Sequence, residues 1–212
     1  PHPKNIGAVF NEPILTNTDR LFSDLSLVKE QYILFNAGSG GHKNNGQLST
    51  DLYYEAALKV QKKLKIKCVV IFGDNYPRTI PSSTSDEKGL LCIQSVSNED
   101  FVMLLNHAKG CIVSAGDTLL QCIELQKLTV ATAVSKDQPQ RLRACVKEGL
   151  VLPATLTVDD IYNQTCQLLS NNDKKQQQFS NMEKYESLSA LHTLITDIDL
   201  LLGSAHASSE KI

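Results

Sequence analysis

The chain has 212 residues, 42% of them apolar and 21% charged, with a formal net charge of -2. That length builds one sizeable hydrophobic core, and the composition is that of a globular domain. The near-neutral balance gives no electrostatic attraction to nucleic acid or an anionic membrane surface, and no apolar stretch approaches the ~20 residues needed to cross a bilayer.

Residues 1–30 read as a linker or lead-in segment, in which Pro3 and Pro13 punctuate polar turns and Leu21 to Val28 is expected to form a short surface helix. The chain opens Pro-His-Pro, without an initiator Met or a signal peptide, so a longer parent protein is expected. From Gln31 onward, short β-rich runs alternate with longer helical patterns, which predicts βαβ units and a parallel sheet. Strands are expected at Tyr32 to Asn36, Cys68 to Phe72, Leu90 to Gln94, Cys111 to Ser114 and Thr129 to Ala133. Near-continuous apolar runs such as Cys68-Val-Val-Ile-Phe72 suit a sheet covered on both faces.

Between the strands, Leu48, Leu52, Ala56, Val60 and Leu64 recur every four residues and predict a helix. Ser97-Asn-Glu-Asp100 fits a capping box opening a helix from Phe101 to Ala108. Two more helices are expected at Asp117 to Gln126 and Gln138 to Glu148, the latter stopped by Gly149. The predicted fold class is therefore α/β, a doubly wound Rossmann-like parallel sheet over residues 31–170. Residues 171–202 read as a C-terminal helical extension with a polar break at Asn171 to Gln178. In it, Leu188, Leu191, Ile195, Ile198 and Leu202 form an apolar stripe, and 203–212 read as a frayed tail.

The basic run Lys59 to Lys67 alternates with apolar residues and reads as a solvated helix face. Six cysteines show no metal-ligand spacing, and several sit inside apolar runs; a reduced, cytoplasmic setting and no metal site are expected.

In an open parallel sheet ligands bind beyond the carboxyl ends of the strands, which singles out three loops. In Ala37 to Gly46, the glycines Gly38, Gly40 and Gly41 flank Ser39 and allow close backbone approach, while a helix starting near Leu48 would aim free N–H groups at an anion. A plain tight turn explains the same residues. The spacing is neither a dinucleotide GxGxxG, whose third glycine would fall at Lys43, nor a Walker A loop. Ser114-Ala-Gly-Asp-Thr118 repeats the strand, glycine turn and helix, with Asp117 or Thr118 as a helix cap. Ser135 to Arg143 offers Asp137, Gln138 and Gln140 to hydroxyls and Arg141 or Arg143 to a phosphate. It reads equally as a helix start capped by Asp137 with Pro139 in its first turn. Two glycine turns at one sheet suit a diphosphate bridging two helix N-termini.

In this order the motifs resemble the C-terminal half of a GT-B glycosyltransferase, nearest the MurG type of family 28, which transfers GlcNAc from UDP-GlcNAc to a lipid-linked acceptor. Gly7-Ala-Val-Phe-Asn-Glu-Pro-Ile14 is similar to the family's linker, Asn36-Ala-Gly-Ser-Gly-Gly41 to its glycine loop, and Val96 to Asn98 to its uracil-reading segment. Ala115-Gly-Asp-Thr-Leu-Leu-Gln-Cys122 is similar to its second loop, and Asp137-Gln-Pro-Gln140 to its sugar-binding segment. The sequence departs from the pattern at Cys122, where the family has a ribose-binding glutamate (Glu124 lies two residues on), and at Pro139 in place of a glutamine.

The resemblance implies a donor-binding domain for a UDP-linked hexosyl (GlcNAc-like) group, with no other cofactor. Substrate-binding residues would be Gly38, Ser39, Gly40, Gly41, Val96, Ala115, Gly116, Asp117, Thr118, Asp137, Gln138 and Gln140. It also implies an N-terminal acceptor domain outside this chain, without which this half is inactive. The acceptor would be lipid- or polymer-linked, and any peripheral membrane contact would run through that other half. Two rival readings stay open. One is a nucleotide-sugar hydrolase or epimerase of GT-B fold with His42 as a candidate base. The other is a degenerate, non-catalytic partner-binding domain.

Overall fold

The computed structural model describes residues 18–83 and 89–184. The linker motif at Gly7 to Ile14, the apolar stripe from Leu188 to Leu202 and the C-terminal tail lie outside the described residues.

The elements run in order α1 (Thr18–Asp24), β1 (Tyr32–Asn36), β2 (Lys43–Asn44), β3 (Gln47–Leu48), α2 (Ser49–Leu64), β4 (Lys67–Phe72), β5 (Leu90–Gln94), α3 (Asn98–Asn106), β6 (Gly110–Ser114), α4 (Asp117–Glu124), β7 (Thr129–Thr132), α5 (Gln138–Lys147), β8 (Leu152–Pro153), α6 (Val158–Ser170) and α7 (Asn172–Lys184). Six strands form one sheet in the order β5-β4-β1-β6-β7-β8, with every pair parallel. The predicted α/β doubly wound class holds. The chain grows outward from β1 through β4 to β5, then returns to β1's other side for β6, so the winding reverses between β1 and β6.

Both faces of the sheet are buried, which explains the continuous apolar strands. Because successive strand side chains point to opposite faces, Ile33 and Phe35 enter one core cluster and Tyr32 and Leu34 the other. In β4, Cys68, Val70 and Phe72 divide from Val69 and Ile71 in the same way. The first cluster takes α2 through Tyr53, Ala56 and Val60, and α6 through Ile161 and Leu168. The second takes Phe22 of α1, Leu104 of α3, Leu119 of α4, Cys145 of α5 and Met182 of α7.

Two departures from the predicted elements have simple causes. The surface helix expected at Leu21 to Val28 starts and ends earlier, Thr18–Asp24, and is anchored by buried Phe22. The expected polar break at Asn171 to Gln178 shrinks to Asn171, whose Oδ1 accepts from Lys174 N–H at 3.0 Å and so starts α7 at the next residue. Glutamines are adequate helix formers, and one of them has a structural task. Gln178, 4% exposed, accepts from Thr129 N–H at 2.9 Å and donates to Thr129 C=O at 3.0 Å. β8 pairs only with Val130 and Ala131, so this side-chain amide stands in for the missing strand at the start of β7.

Replacing Gln178 with Leu is expected to leave a buried N–H and a buried C=O unpaired, costing about 3 kcal/mol. Urea unfolding of wild type and Gln178→Leu measures it, and a loss under 1 kcal/mol, on the order of one ordinary hydrogen bond, contradicts the strand-mimic role.

Candidate donor-binding cleft at the strand reversal

In open α/β sheets the crevice outside the strand ends at the reversal point is the place where two loops part and leave room for a ligand. Here those loops are the exits of β1 and β6, and they lie side by side on one rim: a methyl added to Gly38 would stand 3.2 Å from the Ser114 hydroxyl. A cleft of about 330 Å³ opens beside them, extending past the exits of β4 and β5. Of the expected site residues its lining takes in Gly38, Ser39, Val96 and Thr118.

The β1 exit is held from two sides. Asn36, 5% exposed, donates to Ile71 C=O at 3.1 Å and accepts from Gly38 N–H at 3.0 Å, which turns the chain at the strand end. Gly38 and Gly40 take φ of 87° and 93°, the left-handed region that a Cβ disfavours. Beneath them runs the β4 exit: Asn75 N–H donates to Ser39 C=O at 2.9 Å, and a Cβ at Gly73 would fall 2.4 Å from the Ser39 carbonyl carbon. Tyr76 lies against Gly40 and donates to Asp51 at 2.8 Å, while Arg78 pairs with the same carboxylate at 2.7 Å. Burial and the Asp51 hydrogen bond push the Tyr76 hydroxyl up to about 12, so it stays a donor throughout the neutral range. Among the described residues no protein acceptor meets the amides of exposed Ser39 and Gly41.

The glycine loop does not run straight into its helix. A hairpin, β2 and β3 joined through Asn45 and Gly46 at φ 49° and 84°, intervenes, and Ser49 N–H bonds to His42 C=O at 2.8 Å. The first amide of α2 is therefore occupied and not aimed at a ligand as expected. His42 is exposed, on the hairpin side of the loop and outside the cleft's lining.

At the β6 exit, Ala115 is fully buried and donates to Thr132 C=O at 2.7 Å. Gly116, not Asp117 or Thr118, occupies the N-cap of α4, and no side chain caps the helix. Its positive end is thus left to whatever enters the cleft beside Thr118. Arg141 stands behind this turn, donating to Ala115 C=O at 3.2 Å and lying 3.5 Å from Asp117; the expected phosphate fork is used as a brace.

The third loop braces too. Gln138, 6% exposed, accepts from Val134 N–H at 2.9 Å, and its Nε2 faces Gly116. Asp137 is the N-cap of α5 but makes no cap hydrogen bond; it accepts from Ser135 Oγ at 2.6 Å. That bond, with smaller help from Arg141 and His42, holds its carboxyl below the usual range. Gln140 is exposed and outside the lining. Cys122 is 0% exposed in the core under α4, so its position offers nothing to a ligand; Glu124 is exposed at the helix end.

No protein-family model matches the sequence, and no curated protein matches it. Solved structures do share the fold. A spinosyn forosaminyltransferase superposes with TM-score 0.63 at 15% identity, over 92% of this chain and 49% of its own. The UDP-GlcNAc 2-epimerase from Neisseria meningitidis bound to UDP-GlcNAc gives 0.64 at 15%, over 88% and 50%. The calicheamicin glycosyltransferase CalG4 gives 0.60 at 12%, over 81% and 42%. The domain has the Rossmann-like GT-B fold. It spans about half the length of these structures or less.

The cleft also holds residues that sequence patterns did not single out. Gly73 and Asp74 leave β4, and Ser95 leaves β5 with φ 55° and donates to the Asp74 carboxylate. Phe101, from the first turn of α3, closes that end. The rule that selected three strand exits applies equally to Gly73-Asp-Asn-Tyr76, which follows a predicted strand, and it was the signal available for this loop. Among the described residues no three His, Cys, Asp or Glu side chains group as metal ligands, and no helix is long and apolar enough to cross a membrane.

Gly73→Ala is expected to push the β1 and β4 exits apart at a cost of about 2 kcal/mol, a fall in Tm of about 4–8 °C. Gly41→Ala, whose Cβ would meet Asn75 at an ordinary 3.4 Å, should shift Tm by less than about 2 °C. Equal effects in thermal melts would dismiss the loop-on-loop contact as the cleft's support.

Proposed function

We propose that this chain is the donor-binding half of a glycosyltransferase of the MurG type, which transfers a GlcNAc-like hexosyl group from a UDP-sugar to a lipid- or polymer-linked acceptor. The supporting observation is the meeting, at the strand reversal, of a glycine loop with unpaired amides and the uncapped N-terminus of α4. Oriented N–H groups in a recess are suited to a diphosphate.

In the transfer, the acceptor oxygen forms a bond to the sugar's anomeric carbon while the bond from that carbon to the β-phosphate oxygen breaks. UDP leaves with the electron pair. The amides near Ser39 and the α4 dipole stabilise the charge that grows there, an interaction stronger in the transition state than with bound donor. The proton leaves the acceptor hydroxyl to a base on the acceptor-binding half. The hydrolase or epimerase reading takes His42 as its candidate base, and His42 is outside the lining.

Calorimetric titration should give millimolar or tighter binding of UDP and UDP-GlcNAc, with no heat from NAD. Silence from both uridine compounds removes the proposal. Thr118→Glu, which puts a carboxylate into the cleft lining at the N-terminus of α4, should repel a diphosphate and abolish the uridine heat.

A further inference from the structure

The cleft has a second end whose chemistry the amide clusters do not explain. We propose that Asp74 is the specificity residue that binds the ribose diol of the donor nucleotide, an assignment that rests on the donor-binding reading above.

Asp74 is the one carboxylate among the described residues lining the cleft, and it leaves β4, on the side of the Ser39 loop away from β6 and the N-terminus of α4. A diphosphate and a carboxylate repel, so the phosphates must settle between the exits of β1 and β6. The nucleoside then extends toward β4 and β5, each strand adding about 4.8 Å. Val96, Phe101 and Ile71 supply apolar surface there.

The carboxylate is set in place rather than loose. Ser95 donates to it from a left-handed backbone conformation, φ 55°, that a serine adopts at a cost, and Ser95 N–H is fixed to Phe72 C=O at 3.0 Å. An ionised carboxylate accepts at about four lone-pair sites, so one bond from Ser95 leaves most of its capacity unused. The nucleoside groups able to fill it are the two ribose hydroxyls and base N–H groups. A uracil ring offers one N–H between two carbonyl oxygens that the carboxylate repels, whereas a vicinal diol offers two donors side by side. The diol is the better match.

Titration of wild type, Asp74→Asn and Asp74→Ala with UDP and with 2′,3′-dideoxy-UDP tests this. Wild type should bind the dideoxy compound about tenfold more weakly or worse, as expected for hydrogen bonds to a charged group. Asp74→Ala should bind the two compounds within about twofold of each other, and Asp74→Asn should lie between. Wild type that does not distinguish the two compounds overturns the assignment, as does a variant that keeps the full ratio. If Asp74→Ala fails to fold, Asp74→Asn decides, and a ratio equal to wild type's overturns the assignment. No binding of UDP to wild type overturns the donor-binding reading and this assignment together. UDP binding with the ratio unchanged in Asp74→Ala removes only the role of Asp74.

Discussion

The contact on which the cleft depends is the seating of the β1 exit upon the β4 exit. Gly73 has no room for a single methyl beneath the Ser39 peptide, and the hydrogen bond from Asn75 to Ser39 closes the seam. Two loops at the ends of neighbouring parallel strands would normally splay, because nothing in the ladder continues beyond the strand ends. Bringing them into backbone contact fixes where the amides of Ser39 and Gly41 point. The Asp51 carboxylate, gathering Tyr76 and Arg78, then ties the seam to the first turn of α2. A rigid loop costs less ordering on binding, so this packing bears on affinity as well as stability.

The division of labour at the β6 exit follows similar logic. Several polar side chains that look ready for a ligand in sequence are occupied in the fold. Gln138 closes the Val134 turn, Arg141 grips Ala115, and Asn36 bridges β1 to β4. Buried polar groups need partners, and a strand exit made mostly of turns has many orphan backbone groups to satisfy. Side chains near such exits are therefore taken up as braces. Among the described residues, what stays unclaimed is main chain: the amides at Ser39, Gly41 and the start of α4.

This explains what could be read from the sequence. Strand and helix positions were legible because burial imposes period: Tyr32 to Asn36 and Leu90 to Gln94 are strands over the predicted residues, and α2 begins within one residue of its expected start. The first glycine turn was legible because φ near 90° at Gly38 and Gly40 favours glycine, and the second because Gly116 stands between a strand and a helix start. The hairpin at Lys43 to Leu48 was not drawn from its Asn45-Gly46 turn, since the helical stripe from Leu48 masked two-residue strands. Nor was the occupation of Gln138 and Arg141, which depends on atoms brought together from loops more than twenty residues apart in the case of Arg141 and Ala115. The importance of Gly73 was also hidden, because a glycine needed for close approach looks like any turn glycine until its neighbour is known.

In the proposed site an anion would be held without cationic side chains. Among the described residues the cleft's lining contains no lysine or arginine, and its one charged side chain is acidic. Recognition through amides and a helix dipole falls off within a turn of the helix, whereas a lysine's full charge acts over the Debye length of about 8 Å at physiological ionic strength. Such a site attracts phosphate weakly from afar and discriminates by fit once contact is made. In the proposed transfer it would also release the diphosphate more readily than a cluster of cations. With Asp74 on the β4 side of the Ser39 loop, the proposed site has donors toward α4 and an acceptor toward β4. That polarity orients any ligand carrying an anionic and a hydroxyl-bearing end, and it arises from the same reversal of winding that opened the cleft.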